Sequence, residues 1–161
     1  MILLEIPGIT GDCEEKNHEN WIVCESINVS VEREFSESGN RADRDLSNCK
    51  VEDIEVTKTT DKTSVDLLME AACGKDKGKA KIHFLASAGA GDDNVTYLEY
   101  ELDGAVISSF SLSSSGERPE ETIKLNFQKL TMKYQQYNAG KAVGAAQGPK
   151  TYNIVERRLG S

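Results

Sequence analysis

Histidine is scarce in these 161 residues, with only two, and tryptophan occurs once and proline three times. No HExxH, GxSxG, GxxxxGK[ST] or GxGxxG pattern occurs, so the familiar metallohydrolase, serine hydrolase, P-loop and dinucleotide sites have no sequence basis. His18 and His83 stand far apart in the sequence. In KNHENW, His18 is expected to fasten its loop by hydrogen bonds, and His83 to face away from Ile82 and Phe84 on a strand. The adjacent carboxylates Glu14-Glu15, Asp92-Asp93 and Glu120-Glu121 read as solubilising loop charges, and no calcium-loop spacing is present. The expectation is a protein that is not an enzyme and has no metal and no cofactor.

Basic charge is also short. Against 27 acidic residues stand 19 basic ones, a net charge of −8, so no stripe is available to neutralise nucleic-acid phosphates. The lysines within 75–81 are interrupted by Gly and Asp and read as a solvated turn. No apolar run approaches the roughly 18–20 residues of a spanning helix, which argues against membrane insertion. The opening MILLEIPG has no charged n-region and meets Glu5 early. It reads as a strand, without a signal peptide, for a chain held in a reducing cytoplasm. Cys13, Cys24, Cys49 and Cys73 form no CxxC and are expected to be free thiols.

What remains is a sequence written mostly in strands, with 38% hydrophobic and 29% charged residues and the size of one domain. Its strong helical signal is DKTSVDLLMEAACGK, residues 61–75. Val65, Leu68, Met69 and Ala72 recur at helical spacing, predicting an apolar stripe over the barrel. Thr63 and Asp66 have capping-box spacing, and Gly74 is placed to end the helix in a left-handed turn.

Strands are predicted over 2–6, 21–33, 49–59, 79–86, 94–102, 122–134 and 152–155. Apolar parity flips near Glu25-Ser26 and again near Gln128-Lys129, so both long strands must bulge or bend, as strands turning barrel corners do. Asp103-Gly104 predicts a type I′ hairpin pairing Leu102 with Ala105 and Tyr100 with Ile107. Such a hairpin leaves Tyr97, Phe110 and Leu112 on its second face, a candidate contact surface. Residues 34–48 form a long charged loop, and 138–149 a Gly/Ala-rich flexible link.

Three stretches together resemble one family. IPGITGDCEEKNHENWI (6–22), DKTSVDLLMEAACGK (61–75) and YLEYELDGAVISSFSLSSSGERPEETIKLNFQKLTMKY (97–134) are similar, in order and spacing, to the haemolysin-coregulated protein (Hcp) family. These are the tube subunits of type VI secretion systems. The resemblance implies a mainly β fold, a β-barrel of two packed, mostly antiparallel sheets with one α-helix covering it. It further implies a homo-hexamer whose rings stack into a tube that a contractile sheath expels from the cytoplasm, without a signal peptide. A spike (VgrG-like) protein and small secreted effectors are the implied partners. On that reading Asn28, Ser30 and Glu32, the polar side of strand two, face the lumen and its cargo. Tyr97, Phe110 and Leu112 close the ring, while Glu34, Glu37, Arg41, Asp43, Arg44 and Asp45 serve ring stacking. The alternative is a monomeric or small-oligomer β-barrel that binds a ligand or peptide. Light scattering separates the two.

Overall fold

The computed structural model describes residues 1–33, 49–89 and 93–159. Two antiparallel sheets enclose the core, as expected for the barrel. In chain order the strands are β1 (Ile2–Glu5), β2 (Ile22–Cys24), β3 (Ser26–Asn28), β4 (Val31–Arg33), β5 (Cys49–Val51) and β6 (Ile54–Thr59). Helix α1 (Ser64–Cys73) follows, then β7 (Lys79–Ala86), β8 (Val95–Asp103), β9 (Val106–Ser113), β10 (Glu120–Asn126) and β11 (Lys129–Tyr134). The chain ends with β12 (Tyr137–Asn138), β13 (Lys141–Ala142), β14 (Gln147–Asn153) and β15 (Arg158–Leu159).

One sheet has seven strands in the order β15-β14-β11-β8-β7-β1-β2, and the other four in the order β3-β6-β10-β9. Alternation explains the packing. Ala80, Ile82 and Leu102 from the larger sheet meet Ile54, Val56, Ile123 and Leu125 from the smaller, all essentially inaccessible. Of the four passages between the two sheets, counted along the chain, the first and fourth fall at the predicted parity flips and the second runs through α1. Glu25 separates β2 in one sheet from β3 in the other, and Phe127-Gln128 separates β10 from β11.

The third passage corrects the predicted hairpin. β8 pairs with β7 and β11, whereas β9 pairs with β10. Gly104 does adopt a left-handed φ of +67°. Beyond it, however, Ala105 exchanges backbone bonds with Gly78 and Lys77, and the Gln128 amide donates to the Asp103 carbonyl. These long-range bonds pull the two arms into different sheets.

The helix is where the sequence predicts it but turns another side inward. Leu67 is its buried residue, helped by half-buried Ala71, one turn away, packed against the core. Val65, Leu68 and Met69, predicted to cover the barrel, are 67%, 45% and 53% exposed. A short helix lying over β9 touches the barrel along a narrow line, which the Leu67–Ala71 edge occupies. The predicted capping box does not form. Asp61 instead accepts from the Thr63 amide and hydroxyl, and its own amide donates to Ser64 Oγ. Gly74 has φ −71°, not left-handed; it is glycine because a Cβ would lie 2.3 Å from the Glu70 carbonyl oxygen.

The segment 138–149 is ordered into the β12–β13 turn and the start of β14, in place of the predicted link. Residues 34–48, including Glu34, Glu37, Arg41, Asp43, Arg44 and Asp45, lie outside the described residues. Their stem is the β4–β5 ribbon, with Val31 opposite Val51 and Arg33 opposite Cys49.

Candidate functional site

The outward face of the four-stranded sheet is carpeted with short hydroxyl side chains. Ser26 lies opposite Thr57, Thr122 opposite Thr57 and Ser111, and Glu120 opposite Ser113. This follows from period-two alternation: the residues between them, Ile27, Val56 and Ile123, take the core side. At one end of this face Asn28, Ser30 and Glu32 come together, lining a groove of about 400 Å³ with Glu52, Asp53, Glu55 and Lys124. Asp53 is held there by Ser108 Oγ at 2.6 Å and Asn126 Nδ2 at 2.8 Å, and Lys124 lies 3.4 Å from Glu55. The three predicted luminal residues thus share one polar concavity.

Both margins of this sheet are single-sided, with β3 at one edge and β9 at the other. β9 reads VISSFSLS and carries no Lys or Pro to blunt an edge, though it bulges at Ser108 and α1 lies over it. Phe110 and Leu112 lie on this edge strand, opposite Ile123 and Glu121 on the core-facing side. Phe110 is half-buried against the core, and Leu112 is 52% exposed. Tyr97 is elsewhere, half-buried on β8 with its ring 6.2 Å from that of Phe84. The structure therefore does not place the three on one hairpin face.

Two clusters escape the sequence reading. In the first, Glu121 and Lys58 are fully buried, not solubilising. Lys58 Nζ donates to Glu121 Oε2 at 2.9 Å and to the Thr59 carbonyl at 2.9 Å, and lies 3.0 Å from Asp61 Oδ1. Glu121 Oε1 has no partner among the described residues. Burial opposes ionisation of Asp61, but hydrogen bonds from Thr63 and Lys58 outweigh it and hold its carboxyl below the usual range. The neighbouring Cys24 thiol is pushed up to about 12 by burial. A signal existed: Lys58 shares the parity of Ile54 and Val56, and Glu121 that of Ile123 and Leu125, with opposite charges.

In the second cluster the two histidines meet. Loop 10–20 folds over the outward side of β1 and β7, where Leu3, Leu85 and Cys13 form a small second core beside Trp21. His18 Nε2 lies 2.8 Å from His83 Nδ1, and Trp21 packs edge-on against His18 and tilted against His83, with ring centroids 4.7 Å and 4.6 Å away. His18 does secure its loop, as expected, with Nδ1 3.3 Å from the Lys16 carbonyl oxygen, and it also reaches a partner 65 residues away. Nothing local in the sequence announces that pairing.

The family described as "Type VI secretion system effector, Hcp" matches residues 3–134. Protein hcp1 of Pseudomonas aeruginosa is 36% identical over 100 residues, which are 61% of this chain and 59% of that relative. The match thus spans about three fifths of the relative's length. Among solved structures, a type six secretion system protein superposes with TM-score 0.87 at 23% identity, over 99% of this chain and 98% of that one. Hcp1 from Salmonella typhimurium gives 0.76 at 20%, over 98% and 97% of the two chains. A type VI secretion system effector from Yersinia pestis gives 0.68 at 21%, over 96% and 100%. At such identities these structures attest the fold.

Proposed function

Since the chain belongs to the Hcp family of type VI secretion proteins, we propose that it is a tube subunit, six copies closing into a ring. Its inner wall is the hydroxyl-rich face of β3, β6, β10 and β9. The observation that carries this reading is the four-stranded sheet itself. One face is core and the other is a polar surface of short side chains, while β3 and β9 have no outer neighbour among the described residues. Joining β9 of one copy to the β3 side of the next satisfies both margins and makes a head-to-tail contact that closes by rotation.

In that arrangement Asn28, Ser30 and Glu32 look into the channel, where small effectors are carried. Phe110 and Leu112 lie at the closing margin, and Tyr97 contributes indirectly by bracing Phe84. Stacking of rings falls to the charges at 34, 37, 41 and 43–45, whose attraction is salt-sensitive. The sheath and the spike protein are the remaining partners, and export from the cytoplasm by the type VI machinery is the destination.

Size exclusion with light scattering tests the ring: about six times the chain mass of 17.7 kDa is expected. Leu112→Glu should reduce it to one chain, whereas Asn28→Trp should keep the ring and lose effector capture. A wild-type chain mass at micromolar concentration refutes the ring and favours the monomeric binding module.

A further inference from the structure

The His18–His83 contact does something the tube reading does not use. We infer that loop 10–20 is a pH-released strap, held against the barrel by a histidine pair that can tolerate one added proton but not two. The ground is geometric. A nitrogen–nitrogen contact of 2.8 Å requires one ring to donate and the other to accept. One added proton leaves such a pairing possible. A second puts N–H groups on both facing atoms and two positive rings against one another, and the bond is lost.

The surroundings give that loss a consequence. His18 is 7% exposed, so an added charge there has little access to water. The strap's remaining grip is the small core of Leu3, Leu85, Cys13 and Trp21, plus the exposed ion pairs Lys16–Asp93 and Asp12–Lys62. Exposed pairs of that kind are weak and salt-sensitive. Release would uncover Leu3 and Leu85, which are 0% and 4% exposed with the strap closed.

Burial holds His83 below the ordinary imidazole range, Glu99 on β8 opposes this, and His18 adds to it. Lys81 on β7 acts with His18, and Glu5 on β1 with Glu99. On the strap, Glu14, Glu15 and Glu19 face Cys13. The sign follows. A histidine that binds its proton less readily in the closed form stabilises that form fully above about pH 6.5, and the contribution is lost as pH falls below it.

Trp21, the chain's single tryptophan, touches both rings and reports on the strap. The test is amide hydrogen exchange of Cys13 and Asn20, which donate within the strap, together with Trp21 emission, on full-length protein between about pH 7.5 and 4.5, spanning the imidazole range. After correction for intrinsic exchange, wild type should exchange about tenfold faster per unit of depressed proton affinity, and emission should shift to the red. His83→Gln keeps a neutral hydrogen-bonding partner and should lose this transition while far-ultraviolet dichroism is unchanged. An unchanged transition in His83→Gln, or none in wild type, overturns the proposal. Should His83→Gln stand open at every pH, the imidazole carbon shifts of wild type decide. Coincidence of their midpoint with that of exchange upholds the strap, and a separation overturns it.

Discussion

Replacing Lys58 should harm the fold more than replacing its partner Glu121, and the difference can be worked from the contacts. Lys58 is fully buried among Glu121 Oε2 at 2.9 Å, Asp61 Oδ1 at 3.0 Å and the Thr59 carbonyl at 2.9 Å. Lys58→Met takes the cation from two carboxylates at once: Asp61, which keeps its bonds from Thr63, and Glu121, which is 0% exposed and already has one oxygen unpartnered among the described residues. Breaking a buried pair by removing one member costs about 3–5 kcal/mol. At this chain length each kcal/mol moves Tm by roughly 2–4 °C, so a fall of roughly 6–20 °C is expected. Glu121→Leu instead leaves Lys58 with Asp61 and Thr59 and removes the unpartnered oxygen, so its cost should be smaller, about 1–3 kcal/mol. The double variant Lys58→Met/Glu121→Leu should be clearly more stable than the two costs summed, because apolar replacement of both members is often neutral or better. Urea titration of the four proteins, followed by dichroism, gives the cycle. Two results refute the reasoning: Glu121→Leu costing more than Lys58→Met, or the double variant equal to the sum within about 0.5 kcal/mol.

Leu67→Asp should cost several kcal/mol and lower Tm in a thermal melt, while Leu68→Asp, at a position 45% exposed, should stay within about 1 kcal/mol of wild type; the reverse order would return the helix to its originally predicted face. Near pH 8 a small thiol reagent should label exposed Cys73 promptly and spare Cys24, whose thiol is raised to about 12 by burial, until the chain unfolds. Labelling of native Cys24 at the rate of Cys73, read by mass spectrometry, would contradict that burial.

What could be read in the sequence was whatever rests on neighbours in the chain. Residues 61–75 announce a helix by periodicity, and Ser64–Cys73 is helical. The flips of parity at Glu25-Ser26 and Gln128-Lys129 announce bends, because a strand that changes its apolar side must change what it packs on, and both sites are passages between sheets. Periodicity could not choose between two apolar edges of one short helix. Four apolar residues on one side outweighed Leu67 and Ala71, yet contact with β9 selects the smaller set. The Asp103-Gly104 dipeptide predicts a tight turn correctly, but which strands its arms join depends on Gly78 and Gln128, far away in the chain. Likewise the meeting of His18 with His83 is made by a loop folding over β7, and that of Lys58 with Glu121 by strand register, across 65 and 63 residues. Recognition of the family carried the fold further than periodicity did, since three stretches in order constrain the whole topology at once.

The two outward faces of the barrel differ in a way that bears on the channel wall proposed for the smaller sheet. On the seven-stranded sheet, long side chains form ion pairs across strands: Lys79 with Glu101, Lys81 with Glu5 and Lys133 with Glu99. Such pairs engage their own neighbours and leave few free donors for a passing molecule. On the four-stranded sheet, Ser26, Thr57, Thr122, Ser111 and Ser113 present short groups with few rotamers to immobilise. A cargo touching them makes replaceable neutral hydrogen bonds, worth about 0.5–1.5 kcal/mol each. The acidic groove around Asn28, Ser30 and Glu32 then adds charge at one end, where Lys124 lies 3.4 Å from Glu55, and Glu120 adds it at the other. In the proposed ring, weak, repeated contacts of this kind would hold cargo by their number and release it when the ring comes apart. A surface of interlocked ion pairs has no comparable set of open partners to offer.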